Sequence, residues 1–337
     1  MSRRERVVEN LNNALRRLLD DDPRVYLIGE DIVDPYGGAF KATKGLSTRH
    51  PDRVLGSPIS EGGITGVGGG LALMGNRPIV EMMFADFSAL AFDQLLNFAS
   101  KSVSMYGRRV PMSMVARCPS GGNRGYGPTH SQSLQKHFLG IPELSVYEMS
   151  PFHDNHAVFT AMLDEGRPCV FFEDKVLYAG SMFTDGVVSD LMRYDLLEDG
   201  NTVRVRSVDD ETPDWIVIAP GGTANRVMAA MRSLLMEEEV NCHLLVPSRL
   251  YPFDIGPLLP RLRSAGRICV LEDGTAGGTW GEVLSQQIHT RLWGKLSDPV
   301  LLLSAQASVI PTASHLEREI LLQEATIHRA LAEGAAK

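Results

Sequence analysis

The sequence predicts an α/β protein of two doubly wound, largely parallel domains. The chain has 337 residues, enough for two cores rather than one. Short apolar runs alternate with longer stretches of helical periodicity in both halves, the pattern of strands joined by crossover helices. Between the two alternations, residues 180–213 are polar, aspartate-rich and weakly periodic. This places one domain over 1–185, a linker over 186–213 and a second domain over 214–337.

In the first domain, Val7, Val8, Leu11, Leu15, Leu18 and Leu19 share one face of a helix over 5–20, which Pro23 stops. Val25–Gly29 reads as a buried strand, and Pro35–Gly45 as a turn that becomes helical. Residues 62–75 read as a helix because Ile64, Val67, Leu71 and Met74 recur at three- and four-residue steps. Each interior glycine there costs about 1 kcal/mol against alanine, so tertiary packing must hold it. Its small residues suit either close packing within one core or a tight interface with a second helix or subunit. Pro78–Met82 is a strand. Ser88 is the expected N-cap of a helix to Ser104, and Pro111–Ala116 is the next strand. Arg117–Ser133 reads as a long loop, a feature that is uncommon unless functional. Val146–Met149, a helix over 154–165 and Cys169–Glu173 complete the domain.

The second domain repeats the scheme. Strands are expected at Trp215–Ala219, Cys242–Val246, Ile268–Glu272 and Val300–Ser304, with helices over 223–236, 281–293 and 313–332. Composition narrows the function. A formal charge of -8 argues against nucleic-acid binding, and Arg3, Arg4 and Arg6 read as solvated. Cys118, Cys169, Cys242 and Cys269 have no CxxC spacing and mostly sit in apolar runs, as reduced thiols do. The start, MSRRERVVENL, lacks the apolar core of a signal peptide. No run of about 18 apolar residues exists to span a membrane, so the cytoplasm is expected.

Familiar phosphate and nucleophile motifs are absent: there is no GxGxxG after a strand, no P-loop and no GxSxG elbow. Gly66–Gly70 lies inside a predicted helix and makes a poor phosphate cradle. Pro220-Gly221-Gly222-Thr223 stands between a strand and a helix, where a plain turn competes with a phosphate site. His153 and His156 have no third ligand in pattern and read as a surface pair, so no metal ligands are assigned. In open parallel sheets, ligands bind beyond the carboxyl ends of strands. Glu30, Glu61, the Phe84–Phe87 segment and the 117–133 loop all follow strands. From the residues alone, the helix-capping or salt-bridged reading of Glu61 outweighs a catalytic one.

Gly29-Glu30-Asp31, Tyr36-Gly37-Gly38-Ala39-Phe40-Lys41, Pro58-Ile59-Ser60-Glu61, Arg77-Pro78-Ile79-Val80-Glu81, Phe84 to Gln94 and Thr129-His130-Ser131-Gln132-Ser133 follow one another in a distinctive order and spacing. Through these pieces the chain resembles the β subunit of the thiamine-diphosphate-dependent E1 component of 2-oxo acid dehydrogenases, of the pyruvate and branched-chain type. The resemblance implies a pyrimidine-binding domain followed by a transketolase C-terminal-type domain. It implies that Glu61 is the acid at N1′ of the cofactor's pyrimidine ring, where its hydrogen bond favours the tautomer whose 4′-imino group deprotonates C2. It implies that Phe87 packs on the aminopyrimidine face, that Ile59 and Met83 line the same pocket, and that His130 lies near the substrate carboxylate or the incoming lipoyl group. As residues alone, Phe87 is a core aromatic and His130 an inert loop histidine.

The Gly-Asp-Gly motif that holds the diphosphate through magnesium is missing: Glu198-Asp199-Gly200 and Glu272-Asp273-Gly274 lack its first glycine. The resemblance therefore implies an E1 α partner in an α2β2 heterotetramer that shares thiamine diphosphate and holds most of the magnesium. A lipoyl-bearing E2 would follow. A structural potassium ion is common in the family at the end of the 154–165 helix. Here Leu163-Asp164-Glu165-Gly166-Arg167-Pro168 departs from its pattern, because Arg167 disfavours a cation. The competing readings keep the decarboxylation with a non-lipoyl acceptor, make the chain a non-catalytic scaffold, or make it a stand-alone transketolase-like enzyme, which the missing motif disfavours.

Overall fold

A computed structural model describes residues 4–209 and 212–335. Arg3 and residues 210 and 211 of the expected linker lie outside the described residues. The chain forms two compact units, one of residues up to Gly121 plus His137–Met182, the other of Gly122–Lys136 plus Phe183 onward. Among the described residues, no helix is long and apolar enough to cross a membrane.

In the first unit the elements run α1 Val7–Asp21, β1 Val25–Glu30, α2 Leu46–Arg49, β2 Val54–Ser57, α3 Glu61–Leu73, β3 Arg77–Glu81, α4 Ser88–Asp93, a π-helical turn Gln94–Ala99, α5 Ser100–Ser102, β4 Val115–Ser120, β5 Ser145–Glu148, α6 Asn155–Asp164 and β6 Cys169–Asp174. Its strands lie in the order β5-β6-β4-β3-β1-β2 and are all parallel. Alternate residues of the strands face opposite layers. Leu27, Ile79, Val115 and Phe171 pack in one core with Leu11, Leu15 and Leu19 of α1 and Phe159 of α6. On the other face α3 lies so close to β3 that a Cβ on Gly68 would come within 2.6 Å of Val80 Cγ2. That contact offsets the poor helix propensity of six glycines in one helix.

Local chemistry moved several boundaries. Pro35–Gly45 is a tight turn with only a 3₁₀ turn at Ala39–Lys41, because Gly37, Gly38, Phe40 and Lys41 all take positive φ. Ser88 is the first residue of α4 and not its cap; Phe87 holds that position without a side-chain cap bond. The continuation passes through the π turn, which carries Phe98 over Gly69, where any Cβ would lie 2.4 Å from the ring. The fourth strand begins at Val115 and takes in Arg117–Ser120, the start of the expected loop.

The second unit runs β7 Met192–Leu196, β8 Thr202–Ser207, β9 Trp215–Ile218, α7 Ala224–Glu238, β10 Cys242–Pro247, β11 Arg249–Tyr251, α8 Leu259–Ala265, β12 Ile268–Thr275, α9 Trp280–Leu292, β13 Leu301–Ala305, α10 Ser314–Ile320 and α11 Glu324–Ala335. Its sheet has the order β13-β12-β9-β10-β8-β7, parallel except for β8 and β7. These two strands occupy the expected linker. Val203 and Val205 point into the core, while Arg204 and Arg206 reach Asp195 on the paired strand. The helix expected over 313–332 is two helices, parted where Leu321 turns extended and buries beside Leu322. All four cysteines are buried and free.

One polar group ties the centre of the first sheet together. Arg117 of β4 is completely buried between its neighbouring strands. Its Nη1 donates to Glu81 Oε2 on β3 at 2.5 Å, and Nε and Nη2 donate to both oxygens of Glu173 on β6 at 2.7 and 2.8 Å. Tyr178 Oη donates to Glu173 Oε2 at 2.5 Å, and its ring meets Phe40 at 5.1 Å between centroids. Phe40 follows Ala39, whose backbone N–H faces Glu81. The links close into a ring: turn, β3, β4, β6 and back to the turn. Burial raises the Glu81 carboxyl above its usual range, and the charge of Arg117 opposes this. Removing one partner of a buried ion pair leaves an uncompensated charge. Arg117→Met is therefore expected to lower stability by about 3–5 kcal/mol in urea unfolding monitored by tryptophan fluorescence and circular dichroism. A loss below about 1 kcal/mol, the range of surface pairs, would contradict this role.

Candidate functional site

β1 lies between β2 and β3, so the strand order reverses there and opens a crevice at the carboxyl ends. Each of these three strands delivers part of a site. β1 ends in Glu30, which is buried and whose Oε1 accepts from Ser60 N at 3.0 Å. This bond fixes the approach from β2 into α3 and so the position of Glu61, the first residue of that helix. Glu61 is only 4% exposed. Burial raises the Glu30 carboxyl above its usual range, the charges of Glu61 and Asp31 add to this, and the Ser60 N–H opposes it.

β3 leads into Met83, Phe84 and the turn Ala85–Phe87, closed by Phe87 N donating to Phe84 O at 3.1 Å. Met83, Phe84 and Phe87 are half-buried. The two phenylalanine rings meet edge to face, 6.4 Å apart at 83°, the arrangement that ring quadrupoles favour. α4, which starts after Phe87, lies along the first turn of α3: a Cβ on Gly62 would stand 3.2 Å from Leu90 O. Ile59, before that turn, is 82% exposed. One sheet edge thus carries a buried acid, a half-buried aromatic pair and an uncovered aliphatic side chain. Glu61, Ile59, Met83 and Phe87 all lie on segments that leave this edge of the sheet.

His130 belongs to the second unit. Its Nδ1 is 3.0 Å from Thr129 Oγ1, and its backbone N donates to Gly127 O at 3.3 Å. Its loop is tightly held within that unit. Glu317 of α10, 1% exposed, accepts from Asn123 N and Gly125 N, each at 2.9 Å. At the far end, Lys136 Nζ donates to Thr275 O at 2.8 Å, Thr275 Oγ1 at 3.2 Å and Gly277 O at 3.0 Å. In the sequence Glu317 looks like an ordinary helix-surface acid; its one signal is its place on a helix. Arg117 and Lys175 were also missed. The available cue was a charged residue beside an apolar run, within β4 for Arg117 and just after β6 for Lys175.

Among the described residues, no group of three or more His, Cys, Asp or Glu side chains is placed to hold a metal ion. At the end of α6, Glu165 accepts from Ser145 Oγ at 2.6 Å through Oε2 and from Tyr147 Oη through Oε1, and Arg167 Nε stands 3.4 Å from Oε2.

Residues 6–180 match the transketolase pyrimidine-binding domain and residues 205–327 the transketolase C-terminal domain. Similar proteins include pyruvate dehydrogenase E1 component subunit beta-1, mitochondrial, of Oryza sativa subsp. japonica, 30% identical over 96% of this chain and 85% of that one. Pyruvate dehydrogenase E1 component subunit beta of Cyanidium caldarium is 31% identical, covering 93% and 94%. The acetoin:2,6-dichlorophenolindophenol oxidoreductase subunit beta of Cupriavidus necator is 28% identical, covering 94% and 93%. Among solved structures, a split-gene transketolase described as an inactive beta4 tetramer superposes with a TM-score of 0.75 at 17% identity, covering 98% and 99%; at that identity the likeness is one of fold.

The anchoring of the histidine loop has a measurable consequence. Hydrogen bonds to a charged group contribute about 1.5–3 kcal/mol each. Glu317→Ala should therefore speed amide hydrogen exchange at Asn123 and Gly125 by at least about ten-fold while leaving strands β1–β6 protected. Unchanged exchange at both amides would show that the carboxylate does not hold the loop.

Proposed function

The chain belongs to the transketolase-like family of E1 β subunits, and from that premise we propose that it forms, with a separate α chain, a thiamine-diphosphate enzyme that decarboxylates a 2-oxo acid and passes the acyl group to a lipoyl carrier. The observation that carries this reading is the buried carboxylate of Glu61 at the start of α3, on the same sheet edge as Phe87. The residues fit the aminopyrimidine half of the cofactor. They do not fit its diphosphate half: the chain has no Gly-Asp-Gly string, and its described residues offer no metal-binding group of acids, histidines or cysteines. The α chain would hold magnesium and the diphosphate, in an α2β2 assembly.

When bound, thiamine diphosphate would supply a nucleophilic carbon and an electron sink for a 2-oxo acid that loses carbon dioxide. This chain's residues prepare that chemistry. Glu61 shares a proton with ring atom N1′, general acid–base work of a kind that contributes about 10²–10⁴-fold. Phe87 gives the ring a face, braced edge-on by Phe84, and Met83 and Ile59 close its apolar sides. His130 would meet the substrate carboxylate or the lipoyl arm from its anchored loop. We propose no potassium ion at the end of α6, because the Arg167 guanidinium already stands beside Glu165.

A second reading is favoured by the Cupriavidus relative, whose name gives acetoin and a dye acceptor: the same site could cleave a carbon–carbon bond beside a hydroxyl and pass the electrons elsewhere. One experiment addresses both. The chain is produced with and without the α-like product of a neighbouring gene, and turnover is measured with thiamine diphosphate and magnesium on a panel of 2-oxo acids and acetoin. Carbon dioxide release from a 2-oxo acid in the mixture alone is the expected result. Turnover by this chain without a partner would contradict the half-site, and turnover of acetoin alone would move the chain to the second reading.

A further inference from the structure

Lys175 stands directly after the end of β6 and is completely buried. Its Nζ lies 5.1 Å from the centroid of the Phe84 ring. Phe84 in turn meets Phe87 edge to face, and one backbone hydrogen bond locks the two into a single turn. The sequence around Lys175 reads Glu173-Asp174-Lys175. Glu173 accepts from Arg117 and Tyr178, and Asp174 accepts from the backbone N–H groups of Val176 and Leu177. An ammonium hidden from water is costly unless something nearby answers its charge. On the side of the site, it faces an aromatic ring, and a cation over a ring is attracted by the ring's quadrupole most strongly where water is excluded.

We propose that Lys175 is a positioning residue for the cofactor surface: its ammonium fixes the plane of Phe84, and Phe84 fixes the plane of Phe87 against which a heteroaromatic ring lies. This rests on the functional reading above. Backbone supports the same relay, since Lys175 N donates to Ser120 O at 3.0 Å and β4 joins β6 to β3. Lys175 thus connects β6 to the segment leaving β3 across the one strand between them. Arg117 makes the equivalent connection one layer deeper, from Glu173 to Glu81.

The test uses the complex assembled with its α chain, in four forms: wild type, Lys175→Met, Lys175→Arg and Phe84→Leu, together with the Lys175→Met/Phe84→Leu double variant. Assembly is followed by sedimentation velocity. The readouts are the thiamine diphosphate concentration for half-maximal activity, kcat at saturating cofactor, and the near-ultraviolet circular dichroism that a ring acquires against a fixed aromatic face. Lys175→Met should raise the half-saturating concentration on the order of ten-fold and weaken the dichroism, with a smaller change in kcat. Lys175→Arg should restore both to near the wild-type values. Phe84→Leu should reproduce the loss, and Lys175→Met should add little on top of it, because residues acting through one contact are not additive. Full additivity of the two substitutions overturns the proposal, as does a Lys175→Met complex that binds cofactor like wild type. Should Lys175→Met fail to assemble, an unchanged dichroism and cofactor requirement in Phe84→Leu overturns it alone. A wild-type complex that takes up no thiamine diphosphate overturns the functional reading itself, a result distinct from either.

Discussion

The first unit depends on the buried guanidinium of Arg117. It links β3, β4 and β6 at the level where those strands end. Two carboxylates buried without it would repel each other across a strand. With it, they become fixed acceptors with little freedom to move; Tyr178 adds a bond to Glu173, and the backbone N–H of Ala39 faces Glu81. Buried ion pairs contribute little net stability compared with apolar packing, but they penalise every arrangement that separates the partners. The consequence is positional. The turn through Gly37–Lys41, with φ of 57° at Phe40 and 66° at Lys41, is a conformation a free chain avoids. It persists because Phe40 packs on Tyr178 and Gly38 lets the backbone approach: a Cβ there would lie 2.6 Å from Thr43 Oγ1. The segment from Glu81 to Phe87 leaves the sheet from this fixed point.

α3 answers a second constraint, that an acid must be buried at the start of a helix that itself packs tightly on both sides. Glycine allows this. Val80 on one side and Leu90 and Phe98 on another approach where side chains would otherwise stand. The helix contributes almost no propensity of its own, so its stability is borrowed from β3, α4 and the π turn. Glu61 is therefore set by tertiary contacts and by the Glu30–Ser60 bond, and not by a local cap.

The alternation of strands and helices was legible because burial on two faces leaves continuous apolar runs, as in Val25–Glu30 and Cys169–Asp174. Glu61, Ile59, Met83 and Phe87 are proposed as site residues through a family's motifs, not through their own chemistry. What stayed hidden depends on partners far apart in the chain. Met192–Leu196 is the edge strand and Thr202–Ser207 the strand beside it, and their arginines and aspartates made them look like linker, although Val203 and Val205 kept the two-residue period. The turn at Pro35–Gly45 looked helical because nothing local shows that its backbone must meet Glu81. Lys175 and Glu317 looked like ordinary charges, since burial is a property of the fold and not of the residue.

These constraints converge on one claim, that Glu61 carries the proton at N1′ and so activates the cofactor. The most direct measurement is the rate of hydrogen–deuterium exchange at C2 of thiamine diphosphate bound to the assembled two-chain complex, by quenched flow and proton resonance, for wild type and Glu61→Gln. The account predicts exchange slowed by at least about 10²-fold in the variant, with the cofactor still bound. Equal rates in the two complexes would contradict it.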